Sequence, residues 1–227
     1  VEEVLSLGDE GARPERPADE RPPRGFEAGA VLDERYRIDG RPRVRGRLVA
    51  APGMDTSLDL AVELVSVGAE HRAHAAVAGR LQREAQLVAR VRSPHVSRVL
   101  AVGWLEPGVP FAAAEACAGP RLDEVLAVRG ALPMEDACAW AAHIAEALRE
   151  LHAVGLVHGA LGAASFRVEP TSEGAARVRL VDVVAPGLSL EEPWTLSPNV
   201  IAHLAPEVTT GVAPADVRSD VWSFGAL

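Results

Sequence analysis

Helical periodicity occurs once before residue 115 of this 227-residue chain and repeatedly after it, and that asymmetry limits the fold more than any single motif. Strand character marks Tyr36, Ile38, Val44 and Leu48-Val49. Residues 58–67 (LDLAVELVSV) form a second apolar, β-branched run, with Pro and Gly in the turn between them. Over 71–92, Val77, Leu81, Glu84-Ala85 and Val88 recur at three- and four-residue steps until Pro94 closes the helix. A strand pair follows at 99–104 and 109–114, turned through Glu106-Pro107-Gly108. Beyond Gly119-Pro120 the spacing predicts helices over 122–129 and 134–154, the second with Ala137, Ala141, Ile144, Ala145, Leu148 and Leu151 on one face. Short strands at 166–168 and 178–184, an irregular stretch with Pro186, Pro193 and Pro198, and a helix starting near Arg218 complete the chain. A β-rich half with one helix, then a helical half, predicts an α+β fold of two lobes, residues 31–116 and 117–227.

Composition narrows the chemistry. With 4% aromatics, the core must be built from Leu, Val and Ala. The formal charge of -9 argues against nonspecific nucleic-acid binding. No apolar run is long enough to cross a bilayer, and no basic-then-apolar signal pattern opens the chain, so a cytoplasmic location, within this chain or as the cytosolic part of a longer protein, is expected. Cys117 and Cys138 fit no metal spacing and read as free, buried thiols of a reducing compartment. Residues 1–30 carry eight acids against four arginines, with prolines at 14, 17, 22 and 23 and few large apolar residues, the composition of a disordered acidic linker. The chain has no lysine; all 23 of its basic residues are arginine.

A series of blocks then occurs in a recognisable order. The stretch LRELHAVGLVHGALGAASFRV over 148–168 resembles the catalytic-loop region of bacterial Ser/Thr protein kinases. Around it, Tyr36-Arg37-Ile38 is similar to the opening strand and Ala61-Val62-Glu63 to the Val-Ala-Ile-Lys strand, with Arg83-Glu84 on the αC helix. Ser93-Pro94-His95-Val96 stands where His-Pro-Asn-Ile is usual; residues 111–117 resemble the hinge, and 122–126 the helix after it. Asp182-Val183-Val184 falls on Asp-Phe-Gly, Ala205-Pro206-Glu207 on Ala-Pro-Glu, and DVRSDVWSFG over 216–225 on the start of the αF helix. The resemblance runs from about residue 32 to Leu227 and implies a kinase-like fold whose helical lobe is partial, ending in αF. Val221, Phe224 and Leu227 would then present an apolar stripe that needs a partner or further chain.

What the resemblance implies for chemistry is mostly loss. Phosphoryl transfer needs cations and a base held around the phosphates. Glu63 stands where the phosphate-anchoring lysine belongs. Either it faces the αC acid Glu84, where like charges ~4 Å apart repel by about 4 kcal/mol at an effective dielectric of 20, or it points to solvent from an edge strand. In the Gly-rich loop, Gly46 falls on the third glycine, Arg41 and Arg43 on the first two, and Leu48 on the residue that roofs adenine. In the catalytic loop, His158-Gly159-Ala160 replaces His-Arg-Asp, so Ala160 supplies no proton acceptor, Gly162 replaces a lysine, and Ser165 replaces an Mg²⁺-binding asparagine. Asp182 keeps the place of the other Mg²⁺ ligand. Weak ATP or ATP/Mg²⁺ binding through Gly46, Leu48, Ala61 and Glu115 is compatible with this pattern, but no cofactor is required by it.

The expectation is a pseudokinase: a catalytically impaired kinase-like module acting on a protein partner, a true kinase or its substrate, in bacterial Ser/Thr signalling. The helix at 71–92 and the segment 185–204 are its candidate contact surfaces. The alternative is an atypical ATP-dependent Ser/Thr kinase in which Arg43, Arg45 or Arg47 enters the phosphate site. A gene remnant is a third reading.

Overall fold

The computed structural model describes residues 22–171, 176–191 and 198–227, the side chains of 189–191 and 198–200 excepted. Its strands are β1 (Val31–Leu32), β2 (Tyr36–Ile38), β3 (Arg43–Arg45), β4 (Leu48–Asp55), β5 (Leu60–Val67), β6 (Val99–Glu106), β7 (Val109–Glu115), β8 (Phe166–Pro170) and β9 (Ala176–Leu180). Its helices are α1 (Ala75–Val88), α2 (Leu122–Arg129), α3 (Met134–Ala153), α4 (Pro198–His203), α5 (Pro206–Thr209) and α6 (Val217–Gly225). The first seven strands form one antiparallel sheet in the order β1-β2-β4-β5-β7-β6, with β3 also on β4; β8 and β9 form a separate hairpin. A β-rich lobe with one long helix, followed by a helical lobe, is the α+β arrangement the periodicity predicts.

Strand alternation divides the sheet's two faces. Val62, Leu64, Val49, Ala51, Phe111 and Ala113 turn to one side and bury Phe26, Tyr36 and Ile38 there. Val65, Val67, Leu48 and Ala50 turn to the other, against Val77, Leu81, Ala85 and Val88 of α1. That second layer is continuous with the helical lobe through Ile144, Leu148 and Leu151 of α3. Phe26 is fully buried, and the N–H of Ile38 donates to Ala30, so the acidic linker expected over 1–30 does not extend to residue 30. Residues 1–21 lie outside the described residues.

Three expectations shift. β4 does not stop for a turn at Pro52-Gly53 but runs to Asp55, and the turn falls at residues 56–59. Pro52 is tolerated because it sits where the outer neighbour of β4 changes from β3, which ends opposite Ala50, to β2, which begins opposite Gly53. On α3 the buried face is Trp140, Ile144, Ala147, Leu148 and Leu151, and Ala145 is exposed. Phe224 of α6 and Leu227 just beyond it pack on the core, leaving Val217, Val221 and Trp222 as the exposed large apolar residues of the helix.

The free edge of β9 is tied to both lobes by two histidines. The rings of His95 and His143 stack with centroids 4.2 Å apart. The Val178 carbonyl lies 3.1 Å from Nδ1 of His95, and the Val178 N–H donates to Nδ1 of His143 at 3.3 Å. His143 must therefore be unprotonated at Nδ1. Burial chiefly, with the charges of His95 and Arg177, holds its pKa below the ordinary value; Glu146, paired with Arg149, lies one turn on. The unfolded chain takes up this proton first, at about 6.5, so the stabilisation is complete above that pH and is lost as pH falls through the lower folded value. Thermal melts at pH 7.5 and 5.5 should show a fall of a few degrees in the native protein. The fall should be smaller in His143→Asn, whose Oδ1 stands in the place of Nδ1 and accepts the same bond without titrating.

Candidate functional site

A cleft of about 540 Å³ lies between the sheet and the β8–β9 hairpin, and charge dominates its lining: Glu63, Glu115 and Asp182 against Arg43, Arg45, Arg121 and Arg167. Glu63 is on β5, an interior strand hydrogen-bonded to β4 and β7, and faces the cleft from the side of Val65 and Val67. The edge-strand expectation is thus corrected. So is the clash with Glu84, which instead accepts from Nε of Arg80 at 2.7 Å, one helical turn away.

The partner of Glu63 is Arg45. β3 and β4 are joined by the two-residue turn Gly46-Arg47, where Gly46 has φ +58, a left-handed conformation suited to the first central position of a tight hairpin. The turn leaves Arg45 reaching into the cleft. Its Nη2 lies 2.5 Å from Oδ2 of Asp182 and its Nη1 3.6 Å from Oε2 of Glu63. Enclosure in the cleft raises the Glu63 carboxyl above its ordinary pKa; Asp182 adds to this, while Arg45, Arg167 and Arg43 oppose it. Asp182 in turn raises the Arg45 guanidinium still further above its ordinary value.

At the back of the cleft, Glu115 accepts from Arg98 at 3.2 Å and from Arg179 at 3.1 Å. Burial alone would raise its pKa, but those two guanidiniums outweigh burial and lower it. Burial pushes the neighbouring Cys117 thiol up to about 12, an inert group; Cys138, expected to be buried, is exposed.

The other residues expected to hold a cofactor sit elsewhere. Leu48 is buried in the sheet–α1 layer, and Ala50, two residues on and on the same face, lines the cleft in its stead. Gly46 serves the hairpin turn. Ala61 is exposed, and its carbonyl accepts from the N–H of Ala116.

The loop from His158 to Ser165 is held from below. Asp220 on α6 is fully buried; its Oδ2 and Oδ1 accept from the N–H groups of His158 and Gly159 at 2.9 and 2.8 Å, and Nε2 of His152 lies 2.8 Å from Oδ2. Nδ1 of the buried His158 accepts from the N–H of Ala160 at 3.3 Å, which makes it a backbone brace. Ser165 is 3% exposed, and its hydroxyl accepts from Gly162 rather than facing the cleft. Glu207 accepts from the Ser219 hydroxyl at 2.7 Å.

The family described as protein tyrosine and serine/threonine kinase matches residues 44–227, most of the chain. The chain belongs to the protein kinase family. Among curated relatives, serine/threonine-protein kinase pkn2 of Myxococcus xanthus is 31% identical over 87% of this chain and 24% of its own length. PknL of Mycobacterium bovis is 29% identical over 87% and 49%, and a probable serine/threonine-protein kinase of Clostridium acetobutylicum is 28% identical over 88% and 30%. The chain thus spans less than half the length of these relatives. The PknI kinase domain of Mycobacterium tuberculosis superposes with a TM-score of 0.63 over 87% of this chain and 73% of that one, at 24% identity, a likeness of fold.

The kinase family uses ATP and Mg²⁺, and the residues of this kinase-family domain do not fit the metal. Mg²⁺ is held by one or two carboxylates together with the substrate's phosphates. Here Asp182, the carboxylate that the sequence resemblance puts at the metal, is already in a charge-assisted bond to Arg45, and Ser165, which the resemblance puts at the second ligand, is buried and turned to Gly162. Among the described residues no group of three or more His, Cys, Asp or Glu could hold a metal. No helix of the described residues is long and apolar enough to cross a membrane. Arg121 and Arg167 went unrecognised in the sequence. Phe166 and Val168 are core residues, so strand alternation alone turns Arg167 to the other face, toward the cleft.

Proposed function

We propose that this kinase-family domain transfers no phosphoryl group and works as a binding module in bacterial Ser/Thr kinase signalling, in the cytoplasm. One observation carries the reading: Arg45 lies across Glu63 and Asp182, so the charges that would handle nucleotide phosphates and metal are closed on one another. Ala160 compounds it. A general base is worth roughly 10² to 10⁴-fold, and a methyl group accepts no proton. The partner is a protein, a kinase or its substrate; α1 and residues 185–204 are the candidate contact surfaces, of which 192–197 lie outside the described residues.

The reading of an atypical kinase is favoured on one count, since a guanidinium does stand in the cleft. Beside Ala160, however, the described carboxylate bonded to the loop is Asp220, and both its oxygens are taken by backbone N–H groups. A radiolabelled transfer assay with Mg²⁺ and with Mn²⁺ tests the matter. The expected outcome is incorporation equal to that of Asp182→Ala, at background. Metal-dependent transfer that disappears in Asp182→Ala would overturn the proposal.

A further inference from the structure

We infer that the solvent face of α1 is a docking surface for an acidic stretch of the partner protein, gripped by Arg83 and Arg90. The inference rests on the reading of a module that works by binding, and it names the chemistry of the partner at one of the two contact surfaces.

Charge distribution carries it. Residues 72–92 hold five arginines and one glutamate, +4 in a chain whose total is -9, which leaves -13 for the rest. Three of the five are engaged within the molecule: Arg72 pairs with Glu106, Arg80 takes the one acid, Glu84, at 2.7 Å, and Arg92 donates to the carbonyls of Ala89 and Val91. Arg83 and Arg90 are exposed and belong to no ion pair among the described residues. They stand on one stripe. Val77, Leu81, Ala85 and Val88 are buried, which turns Ala76, Gly79, Arg83 and Gln86 outward at three- and four-residue steps. Arg90 continues that line in the turn closing the helix, where its N–H donates to the Leu87 carbonyl. At a rise of about 1.5 Å per residue, the two arginines are rooted about 10 Å apart along the axis. A Cβ at Gly79 would meet only the Arg83 guanidinium, at 3.1 Å, so space beside that cation is open to a partner's backbone.

The stripe suits a short acidic protein segment better than other polyanions. A nucleic-acid duplex or an anionic bilayer spreads its charge over a wide area and would meet the -13 borne by the rest of the chain, which repels it. Residues 72–92 contain no Phe, Tyr or Trp on which a base could stack. The large apolar side chains Val77, Leu81 and Val88 are buried against the core and cannot enter a bilayer. An acidic segment touches the stripe alone. Its carboxylates match the two guanidiniums when about seven residues apart on a helix or about three apart on an extended chain.

The test is fluorescence anisotropy of a labelled decaglutamate titrated with the whole chain in dilute buffer and with added salt. The expected result is binding in dilute buffer that weakens as salt is added. Arg83→Glu/Arg90→Glu, which turns two attractive contacts repulsive, should bind about tenfold more weakly or worse. Arg83→Gln/Arg90→Gln, uncharged and still helix-forming, should fall between and guards against a loss that is merely structural. The control Arg24→Glu/Arg129→Glu makes the same change of net charge at two exposed arginines elsewhere and should stay within about twofold of the native chain. No binding in dilute buffer, a loss as large in the control, or a DNA duplex or phosphatidylserine vesicle held through the same two arginines would overturn the inference. So would a dimer, seen in sedimentation, that Arg83→Glu/Arg90→Glu abolishes, since a second copy would then be the occupant. Each of these leaves the absence of transfer standing, because α1 does not line the cleft. Metal-dependent transfer by the same preparations would instead bring down the reading beneath it.

Discussion

Asp220→Ala should cost about 3–5 kcal/mol of folding stability, a large part of the 5–15 kcal/mol typical of a domain. The carboxylate is fully buried and takes the N–H groups of His158 and Gly159 and the ring of His152. Its removal leaves two buried amides without acceptors, each costing about 1–3 kcal/mol. It also releases Gly159 from φ +76, a conformation the loop adopts to bring both N–H groups onto one acid. Asp220→Asn should fall between, since the amide keeps one accepting oxygen and turns its NH₂ toward a donor. Urea midpoints compare the three proteins, and a loss under about 1 kcal/mol for the alanine variant would contradict the assignment of Asp220 as the brace of this loop.

A loss of similar size is expected at Phe111. It is fully buried on β7, with its ring edge-on to Tyr36 at 6.1 Å between centroids, in a chain with four phenylalanines in all. Truncation to Ala should cost about 3–5 kcal/mol through lost burial and the cavity left behind. Its cross-strand partner Gly103 makes the expectation sharper. A Cβ on Gly103 would lie 2.5 Å from Cε1 of the ring, so the glycine is the space into which Phe111 fits. Gly103→Ala should therefore destabilise the native protein and be almost neutral in the Phe111→Ala background. A coupling energy near zero in that double-mutant cycle would show that the two residues do not share the space.

Most of the architecture was legible because alternation and helical spacing are properties of the chain itself. The strands at β2, β3 and β7, the helix α2 and the start of α3 fall where the pattern puts them. What was not legible depended on neighbours. Pro52 and Gly53 look like a turn until it is known that β4 changes partners there, and that a Cβ at 53 would collide with the Arg37 carbonyl. The site divides in the same way. Glu63, Glu115 and Asp182 were placed in the cleft region by motif order. The register of Leu48 was not, because the length of the β4–β5 turn decides whether residue 48 or residue 50 faces the cleft. Arg45 stood among three arginines that could enter it, and choosing between them required the geometry of a two-residue turn. The pairing of Glu115 with Arg98 and Arg179 joins residues 17 and 64 positions away, a distance over which local pattern is silent.

The span of Arg45 from the β3–β4 hairpin to Asp182 ties the sheet to the segment that follows β9 by a charge-assisted contact. One end of that contact moves with the sheet and the other with the helical half, and all three charged side chains are partly wetted. At 2.5 Å this contact is shorter than the screening length even at 1 M salt, about 3 Å, and it is partly enclosed, so added electrolyte weakens it little.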